Sequence, residues 1–126
     1  MGLKGKVTLK GRTNDVRKEL LGSSCLVMSS RFEGFPMILL EALATGLPIV
    51  SYDCPKGPSE IVTIGANGYL AKVGDTGTLA QGICSVIANV ELRKRFGAES
   101  KKRSENFTLE KTMEKWDALF KSVLER

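Results

Sequence analysis

Two acidic residues eight positions apart, Glu33 and Glu41, bracket the stretch of this chain best suited to bind a ligand. Glu33 lies in the loop-like segment Ser30-Arg31-Phe32-Glu33-Gly34-Phe35-Pro36. Glu41 is the only charge in the apolar run Met37-Ile38-Leu39-Leu40-Glu41-Ala42-Leu43. An ionised carboxylate only accepts hydrogen bonds, which suits the paired hydroxyls of a sugar. Pro36 is favoured in the first turn of a helix. A helix beginning there would present the free amides of Met37, Ile38 and Leu39, and the positive end of its dipole, to an anion such as a diphosphate. Gly34 would let the backbone approach that ligand closely. Glu41 lies ~7.5 Å along the helix axis from Pro36, and its side chain leans back toward the N-terminus. A ribose attached to the diphosphate would lie there, and Glu33 would face sugar hydroxyls on the other side of the phosphates. From the residues alone a plainer reading stands level with this one. In it Glu33 is an exposed loop acid, and Glu41 is neutralised by a core lysine or a backbone amide.

The elements that must position these residues read as alternating strands and helices. Residues 24–28 and 47–52 are short continuous apolar runs, as in buried parallel strands. A helix over 36–45, closed by Gly46, joins them. Residues 6–10 alternate as a strand, 14–21 read as a helix ending at Gly22, 59–64 as a short helix and 68–71 as a last strand. Helices are predicted over 78–88, 91–104 and 108–124; the last is the most amphipathic, and Trp116 on its apolar stripe reads as a packing residue. This order means βαβ units, an adjacent parallel pairing of 24–28 with 47–52, and ligands beyond the carboxyl ends of the strands. The loops at that edge are residues 29–36 and 53–58.

Composition narrows the chemistry. The 126 residues, 42% hydrophobic and 26% charged, suffice for one core. There is no histidine, which excludes Ser-His and Cys-His nucleophiles and mixed Cys/His zinc sites on this chain. Carboxylates, cations and backbone dipoles remain. No carboxylate cluster has metal-ligand spacing, so no metal or other cofactor is expected. Cys25, Cys54 and Cys84 are odd in number and widely spaced, and read as small buried hydrophobes in a reducing cytoplasm. No apolar run approaches the ~20 residues of a membrane span, and no apolar segment of a signal peptide follows the basic start. The net charge of +5 owes much to Arg93, Lys94, Arg95, Lys101, Lys102 and Arg103. These read equally as a solvated helix face or as an attraction to an anionic membrane surface or a phosphorylated ligand. Without interleaved aromatics they do not suggest nucleic acid. No Gly-x-Gly-x-x-Gly follows a strand, so a nicotinamide site is not indicated.

The string Glu33-Gly34-Phe35-Pro36, Leu40-Glu41-Ala42, Gly46-Leu47-Pro48-Ile49-Val50 resembles the Glu-x7-Glu signature of glycosyltransferase family four. The likeness continues through residues 53–62 and Asn67-Gly68-Tyr69-Leu70, reaching back to residues 7–11 and forward to Trp116. It implies an α/β fold with a Rossmann-like parallel sheet and flanking helices, residues 1–126 being a partial nucleotide-sugar-binding domain from the C-terminal half of a GT-B fold. The donor-binding set it implies is Ser30, Arg31, Glu33, Gly34, Phe35, Pro36, Met37, Ile38, Leu39 and Glu41. Within it Glu33 is the catalytic residue on the sugar, the amides of Met37 to Leu39 hold the diphosphate and Glu41 holds the ribose. It further implies a retaining hexosyl transfer, without metal, from a nucleoside-diphosphate sugar to a glycan or lipid-linked acceptor, as in the synthesis of bacterial capsule or lipopolysaccharide. The expected location is the cytoplasm, peripheral on the inner face of the membrane. The alternative is a non-catalytic nucleotide-sugar-binding or regulatory module.

Relative to the family, the chain lacks an N-terminal acceptor domain and the donor-domain strands that carry a phosphate-binding Arg and Lys, which Lys10 and Arg12 do not replace. That reads as a fragment with an exposed sheet edge open to self-association. The isolated chain is therefore expected to transfer no sugar, because positioning of the acceptor is a large share of catalysis. An assay of purified chain with labelled donor and acceptor checks this, and any turnover above background contradicts it.

Overall fold

The protein's structure, a computed structural model, describes residues 2–125. Three parallel strands, β1 (Leu26–Met28), β2 (Ile49–Tyr52) and β3 (Gly68–Ala71), form a sheet in the order β1-β2-β3. β2 is central and buried at every position. Its neighbours are set by the register, with Val27 opposite Val50 and Val50 opposite Tyr69. The parallel pairing of the first two strands is as expected, although each is shorter than its apolar run: Cys25 and Leu47 lie before the ladders begin.

Helix α1 (Val16–Leu21) precedes β1, α2 (Met37–Thr45) joins β1 to β2, and α3 (Pro58–Ile61) lies between β2 and β3. Then follow α4 (Thr76–Ala88), α5 (Val90–Ser104), a 3-10 turn at Glu105–Phe107 and α6 (Leu109–Leu124). Several starts differ by a residue or two from the expectation because side-chain caps fix them. Asp15 accepts from the Lys18 amide, Asp75 from the Thr78 amide and Asn89 from the Leu92 amide, each at 2.9 Å. Pro36 is the residue before α2 rather than part of its first turn.

The sheet is covered on both faces, and side chains along β2 alternate between the two cores. Ile49 joins Leu20, Met28, Leu39, Leu43 and Ile61 on the side of α1, α2 and α3. Val50 and Tyr52 join Leu79, Val86 and Phe96 on the side of α4 and α5. Phe96 is fully buried and meets the Tyr69 ring edge-on at 5.4 Å.

Three expectations fail. Residues 6–10 form no strand, and Leu9 is 96% exposed. A strand's hydrogen bonds are made to a neighbouring strand, and none of the described residues offers that segment one. Trp116 is half exposed and stacks on Phe120 at 5.6 Å, while α6 buries none of its residues. Its apolar stripe therefore covers nothing within the described residues. The cysteines also differ among themselves: Cys54 is buried, Cys25 half-buried and Cys84 exposed.

Helices α2 and α5 meet closely at two glycines. A Cβ on Gly97 of α5 would lie 2.4 Å from the carbonyl oxygen of Gly46, the left-handed residue (φ 75°) that ends α2. Gly77, in the first turn of α4, has ordinary space around it, with Asp75 Oδ1 at 3.5 Å. Gly97→Ala is thus expected to cost about 1–3 kcal/mol, as overpacking does. Gly77→Ala should instead stabilise by about 0.5–1 kcal/mol by restricting the unfolded chain. Urea unfolding of both variants checks the opposite signs.

Candidate functional site

The loops after β1 and β2 leave the same edge of the sheet, because Met28 and Ser51 are in register. They meet in front of α2. The backbone at Gly57 has φ 121°, open only to glycine, and a Cβ there would lie 2.2 Å from Cδ of Pro36. The second loop is therefore wedged against the residue before α2. Lys56, beside it, is the only non-glycine residue with positive φ (64°) among the described residues. The sequence reading gave it no role, although the adjoining Lys56-Gly57-Pro58 marks a tight turn. The loop's near end is tied by the Asp53 amide, which donates to the Ala71 carbonyl at 2.8 Å.

Glu33 is half-buried in the first loop and faces the second. Its neighbour is Cys54, whose thiol is pushed above the ordinary cysteine value, first by burial and further by the carboxylates of Glu33 and Asp53. Around it Gly34, Phe35 and Arg31 are exposed and Ser30 is half-buried. Gly34 has nothing within 4 Å of where a Cβ would stand, so that stretch of backbone is open to a ligand. Phe32 is 75% exposed, which leaves its ring no role in the described core.

The start of α2 is capped by no side chain and carries no acid in its first turn. The expectation of three free amides needs correction at Leu39: its N–H donates to the Pro36 carbonyl at 3.0 Å, a tight first turn that leaves Met37 and Ile38 as the open donors. Leu39 itself is fully buried.

Glu41 also differs from the plainer reading of a carboxylate neutralised in the core. Leu39, Ala42 and Leu43 face the core, but Met37, Glu41 and Ala44 are exposed. Among the described residues the Glu41 carboxylate has no ion-pair partner; those pairs are Lys10–Glu19 and Lys94–Glu91. It lies on an open groove of about 590 Å³ between α1 and α2, lined by Asn14, Asp15, Arg17, Leu20, Ala44 and Thr45, among others. Asn14, Asp15, Arg17 and Thr45 were missed in the sequence. Only Thr45 carried a signal, one helical turn after Glu41 and so on the same face. Glu33 thus lies among the loops and Glu41 on the groove, on either side of the start of α2 along the chain.

The basic cluster is not a single solvated face. Arg93 donates to the Val86 and Ile87 carbonyls at the end of α4, and Arg103 to the Glu60 and Ile61 carbonyls at the end of α3. Arg95 covers the Phe96 ring at 5.5 Å, while Lys101 and Lys102 are exposed.

The chain is similar in sequence and fold to known proteins. The family described as glycosyl transferases group 1 matches residues 1–103. An exopolysaccharide phosphotransferase of Streptomyces coelicolor is 32% identical over 127 residues, covering 100% of this chain and 14% of its own length. The poly(glycerol-phosphate) alpha-glucosyltransferase of Bacillus subtilis is 31% identical over 123 residues, 98% of this chain and 18% of that protein. A crystal structure of a mutant of S. aureus TarM in complex with Fondaparinux, alpha-GlcNAc-glycerol and UDP superposes with a TM-score of 0.87 at 31% identity, covering 94% of this chain and 24% of that one. The chain thus spans less than a quarter of the length of these relatives.

The thiols report on the site's packing. Burial disfavours the thiolate at Cys54 and, with partial relief from Arg93, at Cys25. Iodoacetamide at pH 8 should therefore modify exposed Cys84 first, Cys25 more slowly, and Cys54 at least roughly a hundredfold more slowly until the chain is unfolded. Mass spectrometry of timed samples checks the order; native Cys54 reacting as fast as Cys84 would contradict the closed packing of the two loops.

Proposed function

The chain belongs to the glycosyl transferases group 1 family, and from that premise we propose that it is the donor-binding part of a retaining glycosyltransferase. In this reading the enzyme moves a hexosyl group from a nucleoside-diphosphate sugar to a glycan or lipid-linked acceptor in bacterial surface polysaccharide synthesis. The observation that carries the reading is the unpartnered Glu41 carboxylate on the α1–α2 groove, one turn from the uncapped start of α2. A free carboxylate on an open groove is an acceptor awaiting two hydroxyls. The UDP in the TarM complex motivates uridine diphosphate as the probe.

In this reading the roles are these. The diphosphate lies against the amides of Met37 and Ile38, where the helix dipole favours negative charge without a metal. The ribose lies in the groove with Glu41, beside Asn14 and Thr45. The sugar lies over Gly34 and Phe35, with its hydroxyls on Glu33; Ser30 and Arg31 border it. As the bond from the anomeric carbon to the phosphate oxygen breaks, the sugar gains positive character and the diphosphate takes the electron pair. The acceptor oxygen then bonds to the same carbon from the same face, and its proton passes to the departing phosphate. A carboxylate at Glu33 strengthens its hold as that charge develops. No step in this reading calls on an imidazole, so the absence of histidine is compatible with it.

The two glutamates should separate in binding experiments on this chain. Glu41→Gln should weaken UDP and UDP-sugar alike, by about tenfold for one lost charge-assisted hydrogen bond. Glu33→Gln should leave UDP unchanged and weaken only the added affinity for the sugar. Isothermal titration with UDP, UDP-glucose and UDP-N-acetylglucosamine reads both. Equal loss of UDP in the two variants would overturn the assignment, and unchanged affinity with lowered melting temperature would make both residues structural.

A further inference from the structure

Helix α5 lies behind the sheet, away from the proposed ligand, yet it grips two elements that shape the site. Its middle grips the end of α2, where the Ser100 hydroxyl donates to the Leu47 carbonyl at 2.7 Å beside the Gly46–Gly97 contact. Its last turn grips the end of α3. Arg103 Nε donates to the Ile61 carbonyl at 2.7 Å and Nη2 to the Glu60 carbonyl at 2.8 Å.

α3 is a single turn of four residues, too short to be stable by itself. Its amides at Glu60 and Ile61 are held by the Gly57 carbonyl, at 3.0 and 3.2 Å. Its last carbonyls are the groups a helix end leaves without partners. A guanidinium there satisfies two of them, sharing the Ile61 carbonyl with the Asn67 side-chain amide at 3.4 Å, and opposes the negative end of the turn. The contacts then run without a break. Arg103 holds Glu60 and Ile61, their amides hold Gly57, and Gly57 presses on Pro36, immediately before Met37 and Ile38.

We propose that Arg103 is a positioning residue for the donor site, fixing through α3 and Gly57 the wall against which the diphosphate is held. The inference rests on the donor-site reading above. Arginine is required because its fork spans two successive carbonyls, whereas a lysine ammonium on a flexible stem would hold them less rigidly.

The test is titration of the chain with UDP, followed by backbone amide NMR shifts, with circular dichroism and melting curves to establish folding. Arg103→Met should lower UDP affinity about tenfold per folded molecule, in line with the loss of an outer support of a ligand site. Arg103→Lys should lose less, and Lys102→Met, on the exposed face of the same turn, should lose nothing. Hydrogen exchange at the Glu60 and Ile61 amides should quicken in Arg103→Met while that of Leu47, at the α2 end, stays unchanged. If Arg103→Met does not fold, Arg103→Lys carries both measurements. A folded Arg103 variant with wild-type UDP affinity overturns the inference alone. Failure of the wild-type chain to shift with millimolar UDP overturns the donor-site reading, and the inference with it.

Discussion

Gly46 and Gly97 meet backbone to backbone, and the placement of α2 follows from that contact. A helix is a rigid rod, so fixing its C-terminal end against α5 while Leu39, Ala42 and Leu43 are packed on β2 fixes its axis. The axis determines where the Met37 and Ile38 amides emerge and which way Glu41 faces. Neither glycine touches the proposed ligand. The left-handed φ of Gly46 also turns the chain so that the Leu47 amide returns to the Ala42 carbonyl at 2.9 Å and β2 begins three residues later. One close approach thus serves helix termination, strand entry and site geometry together.

The two glutamates and the strand–helix–strand unit around them were legible in the sequence, because each signal there is local. Apolar runs of strand length, a proline before a helix and a glycine after it depend on neighbours a few residues away. What escaped depends on contacts between distant parts of the chain. Residues 6–10 have the alternation of a strand, but alternation records only which side chains share a face, and a strand also needs a partner. Arg93 and Arg103 look in sequence like members of a charge run, since nothing in their spacing reveals carbonyls waiting 6 to 43 residues away. The α1–α2 groove was invisible for the same reason: four of the residues named on it, Asn14, Asp15, Arg17 and Leu20, come from a segment whose pattern announces only a short helix. Glu41 was singled out correctly as a carboxylate in an apolar run. The plainer reading, in which a core lysine or backbone amide neutralises it, does not hold among the described residues, because a helix lying across a sheet keeps one side exposed even when its sequence is nearly all apolar.

The polar groups inside the fold and those at its binding edge are treated in opposite ways. Asn67 is fully buried with both its oxygen and its nitrogen engaged, accepting from the Thr63 amide at 2.7 Å and donating to the Ile61 carbonyl at 3.4 Å. Ser100 and Ser51 are likewise buried with partners. Among the described residues no buried side-chain polar atom lacks one. At the edge, by contrast, the start of α2 has no side-chain cap, Glu41 has no counter-ion among the described residues and Gly34 is open. A cap on α2 or a lysine opposite Glu41 would stabilise the fold by the usual amounts, about 1 kcal/mol for a cap and less for an exposed ion pair. Either would also occupy the donors or the acceptor that a ligand would use.

That contrast explains why the bracing is placed behind the sheet. A site whose own groups are left unsatisfied cannot be held rigid by bonds among them, so its geometry has to be imposed from outside. α5 does this at two points, by close packing at Gly97 and by charge-assisted hydrogen bonds at Arg103, and α4 is tied to the same helix through Arg93. The two modes are complementary. Packing at the glycines tolerates no added methyl group and resists compression, whereas the guanidinium fork is directional and resists rotation of α3. Together they leave the loops between β1 and α2 and between β2 and α3 little freedom, although their surfaces stay open. On the proposed reading, the α5 residues shape recognition of a ligand that they do not contact.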